Sequence, residues 1–181
     1  MSDVVVVGSG VAGASVAFAA ARRGASVTIV DDDRPGRATA AGAGIIAPWA
    51  SALTGEVYAL YGAGPEAYPP VIDALRELGV ADTGYARNGV LVLAADDVAA
   101  SARLAGLTER TSGSPVAGTP EVVDAAEVGA FFPPLRRDLP GIHVPGGARV
   151  DGRRLAAALV EAVVALGGRS LGGTVTIDDG R

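Results

Sequence analysis

Three glycines near the start of the chain have the spacing of a phosphate-binding turn. Gly8 and Gly10 lie between the valine run 4–7 and an alanine-rich segment, 11–23, and Gly13 lies within that segment. In such a turn the first glycine allows the tight turn out of a strand, the second lets the backbone approach a pyrophosphate, and the third lets the helix pack closely on the sheet. The amides and dipole of that helix favour a bound anion. The pattern predicts a buried parallel strand, a pyrophosphate-binding turn and a helix.

An acidic residue follows at the distance that a ribose contact requires. Residues 27–30 predict a second strand, and Asp31 ends it. Its carboxylate can accept hydrogen bonds from a ribose 2′-hydroxyl and would repel a 2′-phosphate, which disfavours NADP. The run 31–33 is all aspartate, as in some cation sites. Because no further ligands cluster with it, a solvated strand end with one ribose ligand is the favoured interpretation.

The segment 37–46, with the sequence RATAAGAGII, is almost stripped of side chains. Such a composition lets a large, flat group lie directly against main-chain atoms. With the glycine turn before it, the segment points to FAD rather than to a generic dinucleotide. A flexible alanine-glycine linker is the other interpretation. It is disfavoured because the following IIAP lacks the serine and charge that linkers usually carry.

Composition excludes several classes of function. The 181 residues contain no cysteine, and all 15 basic residues are arginine. Disulfides, thiolate chemistry and a Schiff-base lysine on this chain are therefore excluded. The single histidine, His143, cannot build a multi-histidine metal site, so we expect no metal, and a structural role for it is favoured over a catalytic one. A net charge of −5 without a basic patch argues against nucleic-acid binding.

The termini and hydropathy predict a cytoplasmic protein. The first strand begins within three residues of Met1, which leaves no room for a signal peptide. No uncharged segment is long and apolar enough to span a bilayer, so membrane association is not indicated.

Capping residues and prolines divide the rest of the chain into short elements. Asp96 and Asp97 predict the start of a helix that runs to about residue 110, and Thr119 with Pro120 predicts another short helix. Asp151 predicts the start of a helix that ends before Gly167. That helix has one apolar face, formed by Leu155, Leu159, Val163 and Leu166. Further helices are predicted at 56–61 and 66–78, and strands at 90–94, 141–144 and 169–177.

The predicted fold class is α/β, with a Rossmann-type FAD-binding domain interleaved with part of a mixed-sheet substrate domain. Residues 1–48 and 149–181 form the first domain, and residues 49–148 belong to the second. Only three strands, at 4–7, 27–30 and 173–177, serve the nucleotide sheet, fewer than such a domain needs. We therefore expect either the N-terminal part of a longer polypeptide or a chain that folds against a second one.

Over its whole length the chain resembles the D-amino-acid oxidase superfamily of flavoproteins, particularly the glycine oxidase and D-amino-acid dehydrogenase branch. The most specific element of the resemblance is the segment 37–48. The others are the opening glycine motif, the stretches 88–91 and 150–155, and the closing Gly173-Thr174-Val175.

The resemblance implies a set of FAD-binding positions. The glycine turn with Val11 and Ala12 would hold the pyrophosphate, and Asp31 and Asp32 the adenosine ribose. Ala40 and Ala41 offer no nucleophile, which implies non-covalent FAD. The remaining positions are Ala38 and Thr39 at the phosphate-ribityl part, Ala43, Gly44 and Ile45 at the isoalloxazine, and Val175 at the adenine.

The resemblance also implies a reaction. A small amine or amino acid would transfer hydride from its α-carbon to flavin N5, and the imine would hydrolyse. The family's substrate-clamping arginine and tyrosines lie beyond residue 181, so no catalytic residue is assigned. Tyr85 and Arg87 stand near a predicted strand, but a solvated structural role is favoured for both. Trp49 is equally compatible with a wall of the substrate site and with ordinary packing.

Two other classes of function remain open. One is a nucleotide-binding or NAD-sensing Rossmann module without redox chemistry, against which the segment 37–48 argues. The other is a non-catalytic FAD-binding subunit or fragment that needs a complementary chain, which the short predicted sheet favours.

Overall fold

The structure is a computed structural model that describes residues 3–136, 138–176 and 178. It contains two compact units. The first comprises the residues up to Gly44, Val71–Tyr85 and the residues from Val150 onward, and the second comprises Ile45–Pro70 and Ala86–Arg149. The division differs from the sequence-based boundaries in three ways: it falls after residue 44 rather than 48, it falls after residue 149 rather than 148, and it assigns 71–85 to the first unit.

The described elements alternate between helices and short strands. In chain order they are β1 Asp3–Val7, α1 Val11–Ala21, β2 Ser26–Asp31, α2 Ala38–Ala41, β3 Ile45–Ile46, a 3-10 turn at Pro48–Ala50, α3 Gly55–Glu77, β4 Tyr85–Arg87, β5 Val90–Leu93, α4 Asp97–Thr111, β6 Glu121–Val123, α5 Ala125–Phe131, β7 Gly141–Val144, β8 Ala148–Val150, α6 Gly152–Ala165 and β9 Arg169–Gly172.

The first unit contains a parallel sheet in the order β1-β2-β9. Val6 pairs with Ile29, and both are buried on the face against which α1 packs. Val5 and Val7 project from the other face and are 63% and 64% exposed. The predicted strand at 4–7 is confirmed, but its burial on both faces is wrong, because within the first unit no described helix covers the second face.

The third strand of this sheet lies earlier than predicted. β9 ends at Gly172, so the prediction of a strand through 173–177 is wrong. Two successive glycines explain its end, since glycine is unfavourable in strands and Gly173 adopts a φ of 156°. Val175 lies outside the strand, and Ile177 lies outside the described residues.

Helix α6 confirms the cap predicted at Asp151. The Asp151 carboxylate accepts hydrogen bonds from the amides of Arg153 and Arg154. Leu155, Leu159 and Val163 are buried as predicted, whereas Leu166 is 39% exposed because the helix ends at Ala165. Helix α6 packs against α1, so both predicted helices cover the same sheet.

The second unit is built on an antiparallel sheet in the order β5-β7-β6. Its central residue Ile142 pairs with Val92 on one side and with Val122 on the other. Ile142, Val92 and Trp49 belong to one buried cluster with residues of α4. Trp49 is only 2% exposed, so it serves as a core residue. A separate three-stranded sheet has the order β3-β8-β4, and its β3–β8 pairing places Ile45 opposite Arg149.

Two predictions for the middle of the chain are wrong. The helices predicted at 56–61 and 66–78 form one helix, α3, which contains Pro65, Pro69 and Pro70. Proline removes an amide donor, but its fixed φ is a helical value, so the backbone continues through all three. The gap predicted between residues 61 and 66 therefore does not occur.

The helix predicted to start at Thr119 and Pro120 is a strand instead. Residues Glu121–Val123 form β6, in keeping with the preference of valine for strands. The next helix, α5, begins only after Asp124, whose carboxylate accepts the amide of Glu127 while the Glu127 carboxylate accepts the amide of Asp124. This reciprocal cap is a stronger start signal than the threonine-proline pair.

Candidate functional site

The glycine turn between β1 and α1 depends on the absence of side chains. Gly8 adopts a φ of 98° and donates its amide to the carbonyl of Val30 at 2.8 Å. A Cβ on Gly13 would lie 2.1 Å from the Gly8 carbonyl oxygen, well inside van der Waals contact. The structure therefore gives Gly13 the close-packing role that the sequence predicts.

Helix α1 begins without a side-chain cap. Its N-cap residue is Gly10, whereas α4, α5 and α6 each begin with an aspartate that accepts a backbone amide. The first amides of a helix have no partner within the helix, and they attract an anion. This uncapped start fits a pyrophosphate group, which would take the place of the missing cap.

The segment that begins at residue 37 reaches the start of α1. The Val11 amide donates to Thr39 Oγ1 at 3.0 Å, although the two residues are 28 positions apart. A Cβ on Gly10 would lie 3.0 Å from the same oxygen, and a Cβ on Gly152 would lie 2.9 Å from the Thr39 carbonyl oxygen. Two glycines thus make room for Thr39. The structure brings together Val11, which the resemblance assigns to the pyrophosphate, and Thr39, which it assigns to the phosphate-ribityl part.

Asp31 ends β2 directly beside the glycine turn. Its carboxylate accepts hydrogen bonds from the Ser9 amide at 2.5 Å, from Ser9 Oγ at 2.8 Å and from the Asp33 amide at 2.8 Å. It also forms an ion pair with Arg37. These interactions, the Ser9 amide foremost, lower the pKa of Asp31 from 3.8 to about 2. The carboxylate is therefore ionised at neutral pH.

Arginines neutralise the aspartate run. Arg37 pairs with Asp33 at 2.9 Å as well as with Asp31, and Arg34 pairs with Asp32. Among the residues that the structure describes, no group of three or more acidic, histidine or cysteine side chains has the arrangement of a metal site. The sequence reasoning missed Arg37, although an arginine six positions after an acid at a strand end is a signal for such a pair.

The segment 37–46, which we call the bare segment because it has few side chains, is partly structured, and its middle is exposed. Residues 38–41 form the short helix α2, and Ala38 and Ala43 are exposed. Gly44 adopts a φ of 68°, and a Cβ there would lie 1.9 Å from the Val150 carbonyl oxygen. The Val150 amide donates to the Gly44 carbonyl at 2.8 Å. Gly44 is thus fixed in position, while the alanines before it present backbone to solvent.

Ile45, the first residue of the second unit, lines two recesses in that unit. It is 64% exposed. The apolar recess, about 410 Å³, is lined mainly by Ile46, Pro48, Leu53 and side chains of α3. The polar recess has a volume of about 360 Å³, and its lining includes Asn88, His143, Arg149 and several apolar side chains of β5 and α5. Side-chain functional groups therefore surround this predicted isoalloxazine contact.

His143 is held on the floor of the polar recess. Its ring stacks on Phe131 with 4.6 Å between centroids, and its Nδ1 lies 3.7 Å from a carboxylate oxygen of Glu121. A Cβ on Gly89 would lie 2.3 Å from His143 Nε2, so the glycine makes room for the ring. These contacts agree with the structural role favoured from the sequence. Arg87 is also structural, since it donates to the Val116 carbonyl at 2.7 Å.

Val175, the predicted adenine contact, is 37% exposed and lies beyond the end of β9. Near it, Thr174 Oγ1 donates to the Asp32 carboxylate at 3.4 Å. The end of β9 is thereby linked to the predicted ribose position, and the roles of Val175 and Asp32 remain predictions.

The model of one protein family, described as DAO, FAD dependent oxidoreductase, matches residues 3–180. The chain belongs to this family. Its resemblance to D-amino-acid oxidases and the expectation of FAD as the cofactor are confirmed at the level of the DAO family, as is the Rossmann-type α/β fold class.

Two relatives match almost the whole chain at more than 30% identity. Iminodiacetate oxidase from Chelativorans sp. BNC1 is 41% identical, with a TM-score of 0.88 over 98% of this chain and 49% of that one. The uncharacterized oxidoreductase YurR of Bacillus subtilis is 33% identical over 98% of this chain and 48% of its own length. Glycine oxidase from Geobacillus kaustophilus, 24% identical with a TM-score of 0.75, shares the fold.

The chain spans about half the length of the DAO-family relatives that it matches. This agrees with the prediction of a sheet that lacks strands. Within the described residues, no helix has both the length and the apolar character to cross a membrane.

Proposed function

We propose that this chain forms the FAD-binding portion of an oxidoreductase that acts on the CH–NH bond of a small amine or amino acid. The observation that carries the proposal is the start of α1, where Gly10 supplies no capping side chain and the Val11 amide donates instead to Thr39 from the bare segment. A simple nucleotide turn needs no such second segment. The family membership and the similarity to iminodiacetate oxidase support the same conclusion.

The FAD site in this proposal consists mostly of main-chain groups. Gly8, Gly10, Val11, Ala12 and Gly13 form the pyrophosphate turn. The adenosine would be held through the carboxylates of Asp31 and Asp32 and the backbone of Val175, the ribityl part by Ala38 and Thr39, and the isoalloxazine by Ala43, Gly44 and Ile45.

Asp31 is prepared for its part in this site before any ligand arrives. Its ionised carboxylate is oriented by both polar groups of Ser9 and by Arg37. A ribose hydroxyl donates to a carboxylate more strongly than to a neutral acceptor. The low pKa of Asp31 keeps that acceptor available across the neutral range.

FAD, when bound, supplies the hydride acceptor for oxidation of the substrate α-carbon. The chain itself contributes orientation and electrostatics, which are what cofactor enzymes generally supply. We propose non-covalent attachment, because Ala40 and Ala41 provide no nucleophile.

Activity in this proposal requires a remainder that pairs with the chain, either in the same polypeptide or as a complementary one. The half-length coverage of both relatives supports this. So do the exposed valines of β1, Val5 and Val7, which lie on a sheet face left open in the first unit. A cytoplasmic location remains a prediction from the sequence.

The test is a flavin measurement followed by a substrate panel. The protein is purified with and without the complementary half, its absorbance spectrum is recorded, and heat-released flavin is identified by chromatography. We expect FAD that is released on denaturation, and oxygen uptake or dye reduction with members of a panel containing glycine, N-methylglycine, iminodiacetate and D-amino acids.

Two variants make the assignment specific to the site. Thr39→Val removes the hydroxyl at the start of α1 and should weaken FAD retention by about tenfold. Thr108→Val is the matched control, since Thr108 donates only within α4, to the Leu104 carbonyl. Protein without flavin under all conditions would instead support a nucleotide module without redox chemistry, and flavin-loaded protein inert to every amine would contradict the proposed substrate class.

A further inference from the structure

The polar recess of the second unit has one cationic group without a partner. Arg149 lines the recess, and its side chain forms no ion pair or hydrogen bond within the described part of the chain. The other arginines near predicted functional segments are engaged: Arg37 with aspartates, Arg87 with a carbonyl and Arg153 with the Ala40 carbonyl. Arg149 is therefore available for an anionic ligand.

The register of the short β3–β8 pair fixes where Arg149 stands. It lies directly opposite Ile45, the residue that follows Gly44 in the predicted isoalloxazine segment. Both residues line the polar recess. A ligand anion on Arg149 would therefore lie near Ile45, the predicted isoalloxazine contact that belongs to the second unit.

The other walls of the recess offer both apolar and polar contacts to a substrate. Leu91, Phe131 and Phe132 contribute apolar surface, against which the methylene groups of a small amine can pack. Asn88 and His143 add donor capacity in the same recess. Glu121 lies 3.7 Å from His143 Nδ1, and its side chain is 66% exposed and so is well solvated.

The size of the recess favours a substrate larger than the simplest amino acid. Its volume of about 360 Å³ lies in the range of sites for small organic molecules. A guanidinium matches a carboxylate through two parallel hydrogen bonds. The relative with 41% identity is named for iminodiacetate, an amine with a carboxylate on each arm.

We propose that Arg149, with His143 and Asn88 beside it, binds a second carboxylate of the substrate, so that the preferred substrates are dicarboxylic amines. The inference rests on the proposed function and specifies its substrate class. In this role Arg149 is a specificity-determining residue rather than a catalytic one, because it binds the arm of the substrate that does not react.

The test uses unreactive ligands, so that binding is measured without turnover. Diglycolate has the two carboxylates of iminodiacetate with an ether oxygen in place of the amine, and methoxyacetate has only one. The dissociation constants of both ligands are measured by calorimetry and by perturbation of the flavin spectrum. The proteins compared are the FAD-loaded wild type and its Arg149→Gln, Arg149→Lys and Arg103→Gln variants. Arg103 is the matched control, an exposed arginine on α4 that does not line the recess.

We expect Arg149→Gln to weaken diglycolate binding by about tenfold or more, with methoxyacetate changed by less than about threefold. Arg149→Lys should recover part of the loss, because it keeps the charge but not the paired geometry. Arg103→Gln should leave both constants unchanged.

Two outcomes would overturn the inference. Diglycolate binding that is insensitive to Arg149→Gln would remove the arginine from recognition. Equal losses for both ligands would mean that Arg149 binds a carboxylate common to all amino acids, which contradicts the dicarboxylic specificity. The flavin content of the same samples keeps this test separate from that of the proposed function, because FAD-loaded protein without an Arg149 effect contradicts only the inference.

Discussion

The glycine turn of the first unit and the polar recess of the second use different parts of the chain for recognition. In the turn, the groups that would contact a ligand are amides, and Gly8, Gly10 and Gly13 serve by having no side chain. In the recess, the contacting groups are the side chains of His143 and Arg149. A main-chain site tolerates no added atom, whereas a side-chain site can be altered one group at a time. We therefore expect added side-chain atoms in the turn to weaken cofactor binding, and single side-chain replacements in the recess to change which substrates bind.

The largest expected effect tests whether the glycine turn excludes an added side-chain atom. Gly13 and Gly106 both lie inside helices, but a Cβ on Gly13 meets the Gly8 carbonyl oxygen at 2.1 Å, whereas a Cβ on Gly106 meets nothing within 4 Å. Gly106→Ala should stabilise the protein by about 1 kcal/mol through helix propensity. Gly13→Ala should destabilise it by about 3 kcal/mol through overpacking, and abolish FAD retention. Denaturant unfolding and flavin content measure both, and equal stabilisation by the two alanines would refute the role of Gly13.

The second prediction makes the same steric change in the second unit. Gly89 adopts a φ of 75°, and a Cβ there would lie 2.3 Å from His143 Nε2. Gly89→Ala should lower the free energy of unfolding by about 2 kcal/mol, partly from the left-handed backbone and partly from the displaced ring. His143→Ala removes the ring that a side chain at position 89 would meet. The double variant Gly89→Ala/His143→Ala should therefore lose less unfolding free energy than the sum of the losses of the two single variants. Strict additivity in denaturant unfolding would show that the ring does not limit position 89.

The third prediction concerns charge at the end of β2. The folded state holds the pKa of Asp31 near 2, below its ordinary value of 3.8, so the ionised form is favoured in the folded protein. The resulting stability is fully present above the unfolded value and is lost as the pH falls through the folded one. Asp31→Asn should therefore reduce the loss of unfolding free energy between about pH 5 and about pH 2 by about 1–2 kcal/mol.

Asp73→Asn provides the control for this pH dependence. Asp73 forms an exposed ion pair with Arg76, at 66% and 61% side-chain exposure. Such pairs contribute little, so this variant should follow the wild-type pH dependence. If the two asparagine variants show the same profile, the hydrogen bonds of Ser9 do not hold the Asp31 carboxylate in solution.

The features that sequence reasoning recovered are the ones encoded locally. The glycine turn, the acid at the end of β2 and the caps Asp96 and Asp151 each depend on residues within a few positions of one another. The juxtaposition of Thr39 with Val11 was recovered through family resemblance, since 28 residues separate them. The FAD family followed from the combination of these signals.

The features that sequence reasoning missed depend on tertiary contacts. Residues 121–123 form a strand because β7 offers an edge to pair with, and the threonine-proline pair before them signals only a local preference. Arg149 stands opposite Ile45 because of a register that no spacing along the chain reveals. The exposure of Val5 likewise reflects which elements cover the sheet, since its residue type alone predicts burial.

The smallest expected effect compares two helix starts. The start of α5 is capped by side chains that contribute to stability, whereas we assign the start of α1 to a ligand. Asp124 and Glu127 satisfy each other's amides at the start of α5, whereas Gly10 leaves α1 without a side-chain cap. Asp124→Ala should lower the free energy of unfolding by about 1 kcal/mol, and Asp124→Asn should restore most of it, with no change in FAD affinity. By contrast, FAD itself should stabilise the start of α1, so the midpoint of thermal unfolding should rise with FAD concentration equally in wild type and Asp124→Ala. A weaker FAD-dependent shift in the variant would indicate that the two helix starts are coupled and that the α5 cap also supports the cofactor site.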